Sequence, residues 1–265
     1  GAYARMTGID NLYSMEEYAA RYSMADFDGK WGIWDEPFMR YMGEELSAMQ
    51  QPFFATIFTL TSHHPFIVPD EVRDELPEGT TLNHRPVAYS DRALGRFVEQ
   101  YRDEAWFSNT LFVFVADHVS SERMAERTLH APGCFHIVGC IYAGDGSLEG
   151  NYDSIVSQTD IMPTVLGLVG NDEPYFAIGR DIFNEPWRTP FTLIRSGYSY
   201  VGLTDEYVVE FDGEQITGVY GYDDLLHEQN MASSTDVSQT EKLLKATLQS
   251  YYTRVEAMNY APDAK

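Results

Sequence analysis

The sequence predicts an α/β fold, a mostly parallel sheet flanked by helices, followed by an antiparallel β-rich C-terminal extension and a terminal helix. Three observations predict it. Apolar runs at Phe53–Leu60, Thr110–Val115 and Phe135–Tyr142 are shorter than a typical helix and rich in β-branched and aromatic residues, the pattern of strands buried on both faces. Between the first two, Ala93, Leu94, Phe97, Val98 and Tyr101 repeat at helical spacing, so strand, helix and strand form a parallel crossover, expected right-handed. Past Pro190 the texture changes to aromatic alternation broken by turn residues. The chain therefore divides into a body, residues 1–190, and a hairpin extension with its helix, residues 191–265.

Length and composition bound the function. The chain has 265 residues, enough for a large core, and its 44% hydrophobic content marks a globular protein. With 41 acidic residues against 18 basic, the net charge of -23 argues against nucleic acid or an anionic membrane surface as partner. No run approaches the roughly 18 apolar residues of a membrane span. Phosphate-cradling glycine loops and Gly-x-Ser-x-Gly are missing, which weakens nucleotide-dependent and serine-hydrolase readings. Cys134 and Cys140 would lie about 20 Å apart on one strand, so they are expected as two free, buried thiols.

Taken in order, Ser14 with Glu17 has capping-box spacing and opens a helix to Tyr22. Trp31 and Trp34 sit in a glycine-flanked turn, where core packing is the default role. Pro37 to Met49 reads as a helix with Phe38, Tyr41, Met42 and Leu46 on one face. Residues 68–85, rich in Pro, Asp, Glu and Gly, form a surface excursion before a helix capped by Ser90 or Asp91. Residues 119–132 are polar and carry both charges, the pattern of a loop or a short helix over the strand ends. Asp160 caps a helix that Gly170 closes. Strands follow at 191–195, 199–203, 207–211 and 215–220, and a helical stripe from Val237 to Met258 carries Leu244, Leu248 and Tyr252.

Candidate chemistry gathers at strand ends. The second strand stops on Ala116-Asp117-His118, where ligands of open α/β sheets bind. A carboxylate oxygen beside an imidazole nitrogen suits Zn or Mn better than Ca, although a bare Asp-His is more often a cap or a surface turn. The first strand ends in Thr61-Ser62-His63-His64-Pro65-Phe66, and a parallel crossover would bring His63 to the same edge as Asp117 and His118. His136, at the beginning of the third strand, falls at the opposite end, which favours a core or supporting role.

The ordered set Trp31-Gly32-Ile33-Trp34-Asp35, Pro52-Phe53-Phe54, Thr59 to Phe66, Tyr89 to Gly95, Ala116-Asp117-His118, Gln158 to Thr164 and Gly179-Arg180-Asp181-Ile182-Phe183 resembles the catalytic domain of the lipoteichoic acid synthase family, within the alkaline phosphatase and sulfatase superfamily. The resemblance covers roughly residues 25 to 185. It implies an alkaline phosphatase-like fold and a metal-dependent phosphoryl-transfer site, with Asp117 and His118 as ligands of a divalent metal, Mn or Zn rather than Mg or Ca. His63 would be the catalytic residue contacting the phosphate or leaving oxygen, and Trp31 would line the substrate pocket. The implied substrate is a phosphate- or sulfate-bearing small molecule or lipid headgroup, handled on the extracytoplasmic face of a membrane by a protein anchored through segments outside this chain. The family's threonine nucleophile and a further acidic metal ligand have no counterpart in these residues. The chain thus resembles the C-terminal portion of the catalytic domain, and the N-terminal part of that domain is an expected partner. Two other readings stand beside this one: a sulfatase on the same fold, and a non-catalytic module that binds glycan or lipid headgroups or serves assembly.

Overall fold

The structure, a computed structural model, describes residues 2–122 and 125–259. It contains two compact units, one of residues 1–124 and 138–149, the other of 125–137 and 150–265.

The first unit holds helices α1 (Ala2–Met6), α2 (Met15–Arg21), α3 (Asp35–Ala48) and α4 (His84–Tyr101) and strands β1 (Leu111–Val115) and β2 (Gly139–Ala143). The capping box of Ser14 and Glu17 opens α2 as its spacing predicts. Tyr18 of α2 is fully buried among Tyr22, Phe38 and Tyr41. Helix α3 lies close against α4: a Cβ on Gly43 would stand 2.1 Å from the Tyr101 ring, so only glycine allows that approach. The core between them consists of Met39, Leu46, Ala93, Phe97, Tyr101, Trp106 and Phe107, with Phe53, Phe112 and Tyr142 laid on it. Helix α4 begins six residues before the Ser90 predicted to cap it. Asn83 is its N-cap, and Pro86 falls in the first turn, where a missing N–H costs no helical bond. The excursion before it contains a 3₁₀ turn, Asp70–Glu75.

The sheet corrects the sequence reading. β1 pairs with β2 in antiparallel register, Val113 opposite Ile141 and Val115 opposite Gly139. The expected parallel ladder between 53–60 and β1 is not formed, and every ladder among the described residues is antiparallel. Parallel return requires a long crossover, usually a helix. The link from β1 to β2 has only short 3₁₀ turns among its described residues, Glu126–Thr128 and Gly133–Phe135. Residues 53–60 form no regular element, among the described residues no ladder hydrogen bond reaches 53–59, and Phe54 and Phe58 are 79% and 66% exposed. The run has strand composition without a strand partner. The third strand also starts later than Phe135, at Gly139, and Cys140 on it is exposed whereas Cys134 is buried, so the expectation of two buried thiols fails for one.

The second unit contains α5 (Ile161–Leu168), a four-stranded antiparallel meander of β3 (Thr192–Ser196), β4 (Ser199–Leu203), β5 (Tyr207–Phe211) and β6 (Ile216–Gly221), and α6 (Ser238–Ala257). The alternating pattern places these strands within a residue or two of their expected ends. Asp212 accepts the N–H groups of Glu214 and Gln215 and so closes the β5–β6 turn at Gly213, whose φ of +107° suits glycine. Val208, Val209 and Val219 are fully buried, and Leu244 of α6 packs on β4 where Gly202 leaves room. Asp160 precedes α5, but its carboxylate accepts the N–H groups of Ser157 and Arg180 rather than capping the helix.

Candidate metal and phosphate site

Two pairs of candidate side chains lie in the first unit, and each pair is built by local hydrogen bonding. Asp28 Oδ1 accepts the N–H groups of Lys30, Trp31 and Gly32 at 2.7, 2.8 and 3.1 Å, folding the turn that carries Trp31. Gly32 then lies against Leu60, since a Cβ there would stand 2.9 Å from Leu60 Cδ1. The Trp31 indole N–H donates to the His64 carbonyl at 2.7 Å, and its ring meets the His63 ring edge-on at 4.5 Å. Trp31 is thus 55% exposed and tied to the His63 turn, not packed in the core.

His63 has a defined tautomer. Its Nδ1 lies 2.9 Å from the His64 carbonyl oxygen. A carbonyl only accepts, so Nδ1 carries the proton and Nε2 is the nitrogen offered outward. The turn beneath it is closed by His63 N–H to Leu60 O and Phe66 N–H to His63 O.

Asp117 and His118 follow β1 directly, one hydrogen bond beyond the ladder, where Ala116 N–H donates to Val138 O. His118 N–H donates to Asp117 Oδ1 at 2.9 Å, and His118 Nδ1 donates to the Val119 carbonyl at 2.7 Å. His118 Nε2 and Asp117 Oδ2 stand 3.5 Å apart, on side chains 70% and 61% exposed. These donors fit a divalent ion. With bonds of about 2.0–2.1 Å to each, a 3.5 Å separation subtends an angle of roughly 115°, close to tetrahedral. The Nδ1–H held by a backbone carbonyl is the usual support for an imidazole that ligates through Nε2. Among the described residues, no group of three or more His, Cys, Asp or Glu side chains could hold a metal, so this chain shows two donors where such sites ordinarily use three or four.

Sequence reasoning missed the residues that hold these loops. Asn83 Nδ2 donates to Ser120 Oγ at 2.9 Å, tying the N-terminus of α4 to the loop after His118. Two turns along the same helix, Ser90 Oγ donates to Asp35 Oδ2 at 2.6 Å, and Asp35 in turn binds the His63 turn. The two anchor points are about 10 Å apart along the axis, at 1.5 Å per residue. The structure brings Trp31 to His63, and Asp117 to His118, and hydrogen bonds from α4 reach the loops that carry both pairs. For His136, the reason to discount it does not stand. Because β2 is antiparallel, its start lies beside the end of β1. His136 itself is exposed at the end of the 133–135 turn and hydrogen-bonds there through its backbone.

Residues 2–171 match the sulfatase family model. The chain belongs to the sulfatase family. That match spans the Trp31 and His63 turns, α3, α4, β1, Asp117 and His118. Among curated relatives, the lipoteichoic acid synthase-like YvgJ of Bacillus subtilis is 28% identical over 225 residues, covering 76% of this chain and 35% of the relative. The lipoteichoic acid synthase of Staphylococcus aureus is 24% identical over 216 residues, covering 73% and 33%. The chain therefore spans about a third of the length of the curated relatives it matches. A crystal structure of a protein in the alkaline phosphatase superfamily from Vibrio parahaemolyticus superposes with a TM-score of 0.79 at 25% identity, over 97% of this chain and 62% of that one. The α/β fold of this sulfatase-family chain is thus that of the alkaline phosphatase superfamily.

Proposed function

We propose that these residues are part of a metal-dependent phosphoryl-transfer enzyme, a phosphoglycerol or phosphoethanolamine transferase or phosphodiesterase acting on cell-envelope lipid or glycan substrates. The observation that carries this reading is the Asp117–His118 pair, whose two donors have the separation and tautomer a divalent ion needs. The names of the relatives favour a phosphate ester over a sulfate ester.

A metal bound there, Mn or Zn in preference to Mg or Ca, would supply positive charge to phosphate oxygens and acidify an attacking hydroxyl. Asp117 and His118 would hold it. His63, with Nδ1 fixed on a carbonyl, would present Nε2 to the substrate; as the cation it donates a proton to a departing oxygen, and as the neutral ring it accepts one. Trp31 would wall the pocket beside it. The nucleophile and a further acidic ligand would come from outside residues 1–265, from an N-terminal part of the same domain, so that these residues alone neither hold metal tightly nor turn over substrate. In that arrangement residues 191–265 form an extension on a catalytic body. The intact protein would work outside the cytoplasm, anchored by segments beyond this chain; no helix among the described residues is long and apolar enough to cross a membrane.

A sulfatase activity is the second reading, carried by the family model itself. A longer protein containing these residues, assayed with Mn or Zn on bis-p-nitrophenyl phosphate, p-nitrophenyl phosphate and p-nitrophenyl sulfate, decides between them. Phosphate-ester turnover is expected, with sulfate at background. Preferential sulfate hydrolysis would establish the second reading, and no turnover of any ester would leave a binding or assembly module.

A further inference from the structure

Asp35 is 3% exposed, a carboxylate buried at the first turn of α3. Burial of a charge is costly unless every lone pair is used, and here the partners are specific. Oδ1 accepts the N–H groups of Leu60 at 2.8 Å and Thr61 at 3.0 Å, and Oδ2 accepts the Ser90 hydroxyl at 2.6 Å. The Asp35 N–H donates back to Thr61 Oγ1 at 3.1 Å, on a side chain that is itself 3% exposed. Residues 60–61 are the stem of the turn that carries His63, and that stem has no ladder partner in the segment before it. One carboxylate therefore does for this turn what a neighbouring strand would otherwise do. The turn's far side is held by Trp31, whose indole shares the His64 carbonyl with His63 Nδ1.

We propose that Asp35 is a positioning residue for His63, fixing the turn so that the His64 carbonyl holds the proton on Nδ1 and leaves Nε2 outward. The consequence for catalysis rests on the reading of His63 as a substrate-facing group; the consequence for its tautomer does not. Asp35 touches neither substrate nor metal in this assignment. Its carboxylate sets the backbone of 60–61, the backbone sets the His64 carbonyl, and the carbonyl sets the imidazole.

The chain itself, labelled with ¹⁵N, provides the test. In the unmodified chain above the titration range of His63, its ring nitrogens are expected to report the Nδ1–H form. Asp35→Ala should shift them to a mixture dominated by Nε2–H, the form a free imidazole prefers, while Asp35→Asn, which keeps an oxygen for Leu60 and Thr61, should retain the original signals. A structural role alone would lower the unfolding temperature and leave the His63 signals of the folded chain unmoved, and that result overturns the proposal. Should Asp35→Ala not fold, Ser90→Ala decides: it removes the partner of Asp35 Oδ2 and loosens the carboxylate, so the His63 ring nitrogens should report a measurable Nε2–H fraction that the unmodified chain lacks. Ring-nitrogen signals identical to those of the unmodified chain overturn the proposal equally. In the longer protein, Asp35→Ala should lower kcat on bis-p-nitrophenyl phosphate by about 10²-fold with KM little changed, the cost of a misplaced group. If the unmodified longer protein turns over no ester, the functional reading fails while the tautomer measurement still decides the role of Asp35.

Discussion

Asp117→Ala, made in a longer protein that contains these residues, is expected to reduce turnover of bis-p-nitrophenyl phosphate by at least about 10³-fold, since a bound metal contributes several kcal/mol of transition-state charge stabilisation. The change removes the oxygen that stands 3.5 Å from His118 Nε2 and leaves one donor of the pair, the imidazole. It also removes the acceptor of the His118 N–H, so the ring loses a constraint on its backbone. Elemental analysis of the purified variant should show metal lost in step with kcat/KM. Both side chains are largely exposed, so the unfolding midpoint should move little. Near-normal turnover, or full metal content in the variant, would remove Asp117 from the metal site.

Trp106→Ala should cost about 3–5 kcal/mol of stability in the first unit. Trp106 is 3% exposed and stands at the meeting point of the elements that position the site. Its ring lies 6.1 Å from Phe53 and Tyr101, 5.7 Å from Phe107, and 6.3 Å from Phe97 and Phe112. Its indole N–H donates to Ser47 Oγ at 3.0 Å, so alanine leaves a cavity and also an α3 hydroxyl without its donor. Urea unfolding followed by circular dichroism measures the loss. A change below about 1 kcal/mol would mean that the two helices and residues 53–60 are held together elsewhere.

What the sequence made legible was whatever depends on local pattern. The alternation past Pro190 located all four strands of the meander, because a half-buried antiparallel strand writes its two faces into successive residues. The Ser14–Glu17 spacing located a helix start for a similar reason. Direction is a different matter. Six apolar residues look alike whether their neighbour runs parallel or antiparallel, and β1 found β2, not residues 53–60. Asp117, His118, His63 and Trp31 stood out because their chemistry is conspicuous at the end of a strand or in a turn. Asp35, Ser90 and Asn83 did not, since a helix-start acid, a serine and an asparagine have ordinary solvent-facing roles in most sequences. Only the hydrogen bonds across 25 to 55 residues of sequence separate these three from that background.

Residues 53–60 carry a consequence for how the chain behaves in solution. An apolar run outside any ladder, with Phe54 and Phe58 largely exposed, offers apolar surface through which copies can associate. What opposes this is the net charge of -23, which makes copies repel one another. Added salt shortens the reach of that repulsion to about 8 Å at 0.15 M and leaves the apolar contact untouched. Colloidal stability of these residues on their own is therefore greatest in dilute buffer and declines as ionic strength rises.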